Sequence, residues 1–501
     1  MKLLIALMMG GSCGTDLRAR LYLRRLFALL FLSGWVAGAS AATTLGHDDA
    51  RHLLNRAGLG AGIAEVESYA RLTRAQATER LLAVRGGVVS GPDWVDETYF
   101  SPGRLRTLDA EARTRIQIER AERSIELREW WLRQMLVTPD PLRERMTLFW
   151  HNHFVSGMQK VLSPQLMYRQ NVLLREHALG NFRELLHTVA RDPAMVRYLD
   201  SAFNRKGQPN ENFARELMEL FTLGEGNYSE QDVKEVARAF TGWSINPNTG
   251  EFVFRPAQHD DGPKTVLGRQ GNFGGDEVLD ILLDRPETAA LIAGKLWREF
   301  VSPKPAPAEV ARIASALRDS GYDIRAALRV LFTSDAFYAP AHRGVLVKSP
   351  VDLVVGTLRQ FEFEVPDGLP FVFAMGQFGQ VLFAPPNVKG WPGGELWTNA
   401  TTLLRRKQLL DTLFQDRLAV GPMRADMMMT AAATPAAARR ERARVAMGRV
   451  RFDGDAWLTR VNGMPLERTV LAVAPVHAGG SVSSGMDHLR ELVLDPAYQL
   501  K

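Results

Sequence analysis

The run His151-Asn152-His153 is the most conspicuous cluster of chemically active side chains in the sequence. Two histidines two positions apart point the same way on a strand and can share a metal ion, whereas on a helix they point about 200° apart. An apolar stripe through Leu142 and Phe149 predicts a helix here, with His153 facing inward and His151 facing outward. His153 is then either a buried histidine satisfied by a hydrogen bond or one ligand of a composite metal site.

A second candidate lies in the helical segment 210–223, which carries Arg215 and Glu216. Arg215 follows Glu211 by one helical turn, so the two form an ordinary helix ion pair, although the guanidinium could also stabilise an anion. Glu216 lies at the border of the apolar stripe. A carboxylate in that position is either tied to a neighbouring arginine or directed into a cleft as a metal ligand or general base.

A third candidate is the loop that contains His259, Asp260 and Asp261. A histidine beside carboxylates on a loop suits metal binding or acid–base chemistry, although loops of this composition are often only solvated. We therefore consider His153 and His259 as ligands of a divalent metal, and Asp260 as an alternative to Glu216 as ligand or base. Lys348 joins Arg215 as a candidate for stabilising an anion.

The glycines and tryptophans carry weaker signals. The glycines between Gly268 and Gly275 lack the spacing of a P-loop or a dinucleotide-binding motif, so they predict a turn. Trp243, Trp391 and Trp397 lie near glycines and could stack on sugar rings, although tryptophans more often pack in a core. These residues alone define no reaction.

Helical periodicity dominates the elements that must position these candidates. The pattern predicts a mainly α fold: a large multi-helix domain with a small β-hairpin insertion, formed by strands at 251–255 and 265–267 on either side of the His259 loop. A small C-terminal β element is predicted from the segments 449–452, 457–461 and 469–474. Ser229 and Ser349 are expected to cap helices. The predicted organisation is a signal peptide (1–41), a helical domain (42–420), an Ala/Arg-rich linker (421–448) and a C-terminal appendage (449–501).

Residues 1–41 have the plan of a secretory signal peptide. They contain five basic residues and one acidic residue, and an apolar run over 26–38 precedes the small residues Ala39-Ser40-Ala41. Arg24-Arg25 partly matches a twin-arginine signal, whereas the strongly apolar run favours the Sec route. A retained N-terminal anchor helix is the alternative. Cleavage would remove Cys13, the only cysteine, and place the protein in the periplasm or outside the cell.

The net charge gives little support to a nucleic-acid partner. The chain of 501 residues has a formal charge of +6, of which residues 1–41 contribute +4. Between 113 and 133 arginines alternate with glutamates, which is typical of a solvated, ion-paired helix face rather than a phosphate-binding stripe. No apolar run reaches about 18 residues, so we expect no stable membrane span after processing.

Six segments, taken in order, resemble the motifs of one bacterial family. They are residues 51–58 (RHLLNRAG), 146–154 (MTLFWHNHF), 210–224 (NENFARELMELFTLG), 236–243 (VARAFTGW), 347–350 (VKSP) and 385–391 (PPNVKGW). The chain resembles the uncharacterised family known as domain of unknown function 1800 from about residue 47 to 415, and 495–500 is similar to the family's usual ending. The resemblance implies an exported, mostly helical protein, often encoded beside a secreted sulfatase- or phosphatase-like protein. It implies no reaction and no catalytic residue.

Two functions remain open on this basis. The first is an exported, metal-assisted hydrolase that acts on an envelope polymer or glycan. The second is a non-catalytic secreted helical scaffold that binds a partner, for which a co-exported hydrolase-like protein is a candidate. A cleft lined by polar motif residues would favour the enzyme, and a bare surface around the motifs would favour the scaffold.

Overall fold

Local capping signals determine where many helices of this chain begin. The computed structural model describes residues 43–87, 90–415, 434–461, 463–477 and 485–501. The Ser229 and Ser349 side chains each accept a hydrogen bond from the backbone N–H three residues later, and an aspartate at that position bonds back to the cap. Both predicted caps are therefore confirmed. The predicted signal peptide lies outside the described residues.

The structure is mainly α-helical, as predicted. The helices of the first half are α1 (Gly46–Ala57), α2 (Ile63–Ala70), α3 (Arg74–Leu82), α4 (Pro102–Leu105), α5 (Ala110–Val137), α6 (Pro141–His153), α7 (Met158–Val161), α8 (Pro164–Glu176), α9 (Phe182–Ala190), α10 (Pro193–Tyr198), α11 (Glu211–Glu216) and α12 (Glu230–Ala239). Those of the second half are α13 (Gly275–Asp284), α14 (Pro286–Phe300), α15 (Pro307–Asp319), α16 (Ile324–Thr333), α17 (Asp335–Tyr338), α18 (Pro350–Gln360), α19 (Leu369–Gln377), α20 (Ala400–Phe414), α21 (Pro435–Met447), α22 (Gly454–Val461), α23 (Leu466–Val470) and α24 (Met486–Leu494). Short 3₁₀ turns connect several of them.

Two antiparallel hairpins follow α12. Strand β1 (Trp243–Ile245) pairs with β2 (Phe252–Phe254), and β3 (Lys264–Val266) pairs with β4 (Arg269–Gly271). The two predicted strands are therefore present, but each pairs with a nearer neighbour instead of with the other. Because a short hairpin closes with little loss of chain entropy, the local pairings form in preference to one across the His259 loop.

The predicted C-terminal β element is wrong for the described residues. Residues 454–461 form helix α22, residues 466–470 form α23, and Arg451 makes only an isolated bridge with Glu364. Trp457 and Val461 are both buried, one helical turn apart, and Trp457 packs on the Phe361 ring at a centroid distance of 4.8 Å. A short apolar run does not distinguish a strand from a buried helix, and packing against α18 favours the helix.

Helix α6 lies at the centre of the fold and contacts α1, α3, α5 and α8. His151 is fully buried among the Trp131, Phe383 and Trp391 rings, so the prediction that it faces outward is wrong. A helix that is surrounded by other helices has no solvent face, and its apolar stripe then says little about which residues are exposed. Burial lowers the pKa of His151 to about 3, which keeps its ring neutral.

The described residues from Leu45 onward share one hydrophobic core. The C-terminal residues take part in it, since the Tyr498 hydroxyl bonds to Thr357 on α18 at 2.8 Å. Within the part of the chain that the structure describes, no helix is both long and apolar enough to cross a membrane.

Candidate functional site

A cavity of about 780 Å³ opens beside the central helix. Its walls come from α6, α14, the segment leading into α18, and the connection between α19 and α20. The lining includes Arg145, Phe149, Asn152, His153, Lys295, Arg298, Glu299, Asp352, Lys389, Trp391, Glu395, Trp397 and Lys501. Three of the sequence motifs, 146–154, 347–350 and 385–391, therefore contribute to one cavity of a size that suits a small ligand.

Asn152 attaches the 385–391 motif to helix α6. Its side-chain oxygen accepts a 2.7 Å hydrogen bond from the Trp391 backbone N–H. The preceding residue, Gly390, has a φ of +88°, and a Cβ built on it would lie 2.2 Å from the Asn152 Oδ1 atom. Only glycine fits both the left-handed backbone and this close approach. Asn152, which lies between the two histidines of the motif, thus positions Trp391 in the wall of the cavity.

His153 and Lys295 form a pair at the wall of the cavity. The Lys295 Nζ atom lies 2.8 Å from His153 Nδ1 and donates a second hydrogen bond of 2.8 Å to the Leu220 carbonyl. Leu220 lies in a π-helical segment, Leu217–Thr222, that continues α11 within the motif 210–224. A π-helical turn displaces carbonyls from the α-helical bonding pattern, and such turns occur frequently at functional sites. A fourth motif therefore contacts this wall.

Burial shifts both members of this pair toward the neutral form, although Lys295 stays mainly charged at neutral pH. Burial, reinforced by the neighbouring Lys295, lowers the pKa of His153 well below its ordinary value. Burial, reinforced by Arg298, lowers the pKa of Lys295 to about 8. We assign the proton of the neutral ring to Nε2, so that His153 Nδ1 accepts a hydrogen bond from the Lys295 amine.

An ion cluster at the cavity floor is fully paired. Asp352 accepts hydrogen bonds from Arg145 and from Lys501 Nζ, the latter at 2.7 Å, and Arg145 also lies 3.4 Å from Glu299. These two cations hold the pKa of Asp352 well below its usual range despite its burial. Arg145 donates further hydrogen bonds to the Gly58 carbonyl, so its donors are used within the protein.

Outside this paired cluster, the side chains that line the cavity carry a net positive charge. Its lining contains five basic and three acidic side chains. Among the described residues no carboxylate forms an ion pair with Lys295, Arg298 or Lys389. Asp352 and Glu299 pair within the floor cluster, and Glu216 acts on Lys389 only at longer range. Trp391 and Trp397 also line the cavity, and since each is only about 5–6% exposed, their indole rings offer a small apolar area beside these cations. Such a site can bind an anion that also carries a ring or another flat apolar face.

Glu216 and Arg215 have different surroundings. Glu216 is half-buried, and burial, followed by the nearby Glu219 charge, raises its pKa, whereas Lys389 of the cavity lowers it. Arg215 instead bonds to Glu230 at 2.7 and 2.8 Å and pairs with Glu211 at 3.4 Å. The helix ion pair is thus present. Glu216 lies near the Lys389 side of the cavity, while Arg215 is occupied by other carboxylates.

The structure does not bring the His259 loop to the cavity. His259 Nδ1 lies 2.9 Å from the Thr241 carbonyl, and its ring packs on Phe254 at a centroid distance of 5.4 Å. The Asp260 carboxylate bonds to Arg238 at 2.8 Å, and this guanidinium lowers the Asp260 pKa to about 2. Both side chains thus hold the hairpins to α12. No three His, Cys, Asp or Glu side chains among the described residues are grouped so as to hold a metal ion.

Lys348 belongs to the 347–350 motif, but its side chain does not line the cavity. Its Nζ atom lies 3.6 Å from the centre of the Tyr498 ring, a cation–π contact. Burial lowers the pKa of Lys348 to about 7, although the charge of Asp352 opposes this shift. Its backbone bonds to Gln499 and Arg406, so the residue fastens the C-terminal segment to α18 and α20.

Sequence reasoning missed Arg145, Lys295 and Arg298. Each lies on a helix that carries other charged residues, and no local spacing distinguishes it. Lys295 lies outside all six motifs. Only its contacts with His153 and Leu220, residues 142 and 75 positions away, identify it. Of the three candidate tryptophans, Trp391 and Trp397 line the cavity, whereas Trp243 packs between Phe240 and Phe252.

Comparison with known proteins places most of the chain in one family. The family model described as "Protein of unknown function (DUF1800)" matches residues 52–473. No curated protein and no solved structure matches the chain.

Proposed function

This chain belongs to the DUF1800 family, and we propose from its geometry that it is an exported protein that binds an acidic glycan in the cavity beside α6. The observation that carries this proposal is the group of three cations without a carboxylate partner among the described residues, Lys295, Arg298 and Lys389, beside buried indole rings. Cations recognise carboxylate or sulfate groups, and the apolar face of a sugar can pack against the small indole area that Trp391 and Trp397 leave accessible.

Several features support an acidic sugar over a neutral one. Arg298 and Lys389 are exposed and free to bond with a ligand, while the paired floor cluster supplies no vacant carboxylate to repel it. Two carboxylates lie outside that cluster. Glu395 is exposed, so water and salt screen its repulsion, and the half-buried Glu216 lies near Lys389. The cavity is also large enough for one or two sugar rings.

The two histidines expected to bind the metal of a hydrolase, His153 and His259, do not lie together. His153 directs Nδ1 to Lys295, and His259 is bonded to Thr241 in a different part of the fold. Since no group of three metal-ligating side chains occurs among the described residues, the binding proposal includes no metal. A polar cleft lined by motif residues is what we expect of the enzyme rather than of the scaffold, and ligand binding is the part of the enzyme's function that these residues support without a metal.

Binding to an array of acidic and neutral glycans tests the proposal. We expect the purified protein to bind acidic glycans selectively, and more weakly as the salt concentration rises. Replacing both Arg298→Ala and Lys389→Ala should weaken binding by about tenfold or more, since a hydrogen bond to a charged group contributes roughly 1.5–3 kcal/mol. Lys234→Ala, which removes an exposed lysine that does not line the cavity, is the matched control.

Equal binding of acidic and neutral glycans, or unchanged binding in the double variant, would contradict the proposal. Absence of any glycan binding would instead favour the scaffold. Export is tested separately by fractionating cells and sequencing the N-terminus of the mature protein, which we expect to begin at Ala42.

A further inference from the structure

Lys295 is an unusual lysine because both of its hydrogen-bond partners are uncharged. The Nζ atom bonds to His153 Nδ1 and to the Leu220 carbonyl, each at 2.8 Å. The neutral imidazole and the backbone carbonyl orient the amine but do not compensate a full positive charge. The lysines Lys160 and Lys206, in contrast, each pair with an aspartate, at 2.6 and 2.7 Å.

The surrounding charges do not favour the ammonium form of Lys295. Arg298 on the same helix is a nearby cation, and its charge adds to the effect of burial. Glu299, the nearest carboxylate along α14, lies 3.4 Å from Arg145 and is engaged there. Across the cavity, Lys389 is a further cation, and His153 is neutral. The amine is therefore easier to deprotonate than an ordinary lysine.

The two acceptors also determine what the neutral amine presents to the cavity. An amine nitrogen has four tetrahedral positions, one of which is the bond to Cε. With the His153 proton on Nε2, the two N–H groups of neutral Lys295 are directed to His153 and Leu220, so the fourth position holds the lone pair. Lys295 lines the cavity, and its lone pair is thus the part that no protein group uses.

We propose that Lys295 is a nucleophilic amine that forms an imine with the carbonyl carbon of an anionic ligand in the cavity. The lone pair forms the C–N bond, and the carbonyl oxygen takes up protons as a hydroxyl group and leaves as water. The nitrogen loses both of its protons in the overall exchange, so amine and carbonyl give imine and one water molecule with no oxidant or reductant. His153 is the positioning residue, since it holds the amine through Nδ1.

This inference rests on the proposed function and specifies the ligand further. An acidic sugar with a free reducing end has a carbonyl group in its open-chain form, and its carboxylate can bond to Arg298 or Lys389. A sugar acid that is an aldehyde or a ketone when open is therefore the ligand class that satisfies both the cations and the amine. Glycosides without a free carbonyl would bind but not react.

Reductive labelling of the intact protein tests the inference without knowledge of the natural ligand. Pyridoxal 5′-phosphate and the smaller glyoxylate are anionic carbonyl probes, and borohydride reduces their imines to stable amines. At pH 8 about half of an amine with a pKa near 8 is neutral, compared with well under about 1% for an ordinary lysine. We expect Lys295 to label at least about tenfold faster than Lys160 and Lys206, as measured by peptide mass spectrometry.

Two controls make the result specific. Lys295→Arg keeps a positive charge and hydrogen-bond donors, and should abolish only the fast label, with an unchanged melting temperature confirming that the variant is folded. A sugar acid locked as its methyl glycoside should slow the labelling of Lys295 by competition. Neither control should change the labelling of Lys160.

The outcomes separate this inference from the proposed function. If Lys295 labels no faster than Lys160 and Lys206 with both probes, or if Lys348 takes the fast label, the imine proposal is wrong even where acidic glycans bind. If Lys295 labels rapidly but no acidic glycan binds, the amine is reactive and the glycan assignment is wrong.

Discussion

Arg145 and Lys295 are both buried cations of the same cavity, yet their surroundings are opposite. Arg145 bonds to Asp352 and lies 3.4 Å from Glu299, and these carboxylates raise its pKa. Lys295 has two neutral acceptors, and its pKa is lowered to about 8. The first cation is neutralised by the protein itself. Lys295 has no carboxylate partner among the described residues, so its positive charge when protonated, or its lone pair when neutral, remains for a ligand.

The comparison of Arg145 with Lys295 distinguishes a buried charge that the protein pairs from one that is left for a ligand. A buried cation whose partners are carboxylates has its interactions satisfied in the folded chain, and removing one partner leaves the other uncompensated. A cation with neutral partners contributes less to stability and keeps a larger interaction energy for an incoming anion. Burial alone therefore does not identify a functional residue in this cavity, whereas the charge of its neighbours does.

Replacing Asp352→Asn should have the largest effect on stability. The substitution leaves Arg145 and Lys501 buried without their shared counter-charge, and breaking a buried pair costs roughly 3–5 kcal/mol. Urea unfolding measures the loss. Asp232→Asn is the matched control, because Asp232 fills the same capping-box position after Ser229 without buried cations, and should cost only about 1 kcal/mol. Equal losses would mean that the cap, and not the ion cluster, makes Asp352 important.

The pH dependence of stability should distinguish Lys295 from the paired cations. Because its folded pKa is about 8 and the ordinary value is 10.5, the unfolded chain binds more protons between these pH values. Stability from this residue is therefore reduced at pH 8 and below, and is recovered as the pH rises toward 10.5. Relative to Lys295→Met, the native protein should gain roughly 3 kcal/mol over this interval. Parallel stability curves for the two proteins would show that folding does not lower the pKa of Lys295.

The exposed pair of Arg115 and Glu111 should show the smallest effect. The two side chains lie 2.7 Å apart on α5 but are 67% and 82% exposed. Exposed helix pairs contribute about 0.3–0.5 kcal/mol. Arg115→Ala should therefore change the free energy of unfolding by less than about 0.5 kcal/mol, and less still at high salt. If Arg115→Ala lowered the free energy of unfolding nearly as much as Asp352→Asn, exposed and buried ion pairs would contribute equally to stability, contrary to this expectation.

Much of the local architecture could be predicted from the sequence. The Ser229 and Ser349 caps, and the ion-paired face of α5, depend on residues three or four positions apart, so the chain specifies them locally. The helix starting at Pro141 was predictable for the same reason. The π-helical turn at Leu217–Thr222 was not predicted, and its Leu220 carbonyl accepts a hydrogen bond from Lys295 on a distant helix.

The errors occurred where packing overrides local pattern. The outward orientation expected for His151 failed because α6 is enclosed by other helices. The segment 457–461 was expected as a strand and is a helix, since Trp457 packs against Phe361 of a distant element. In both cases the apolar residues were identified correctly, but the partner that buries them could not be read from the same segment.

The sequence by itself determined the mainly helical class, the family motifs and the helix caps of this protein, because these depend on residue type and short spacing. Tertiary structure alone decided that His153, Lys295 and Leu220 meet, that Asp352 neutralises Arg145 and Lys501, and that His259 lies elsewhere. The physical reason is that a buried charge takes its properties from whichever groups the folded chain places within hydrogen-bond distance. Those neighbours come from helices far apart in sequence.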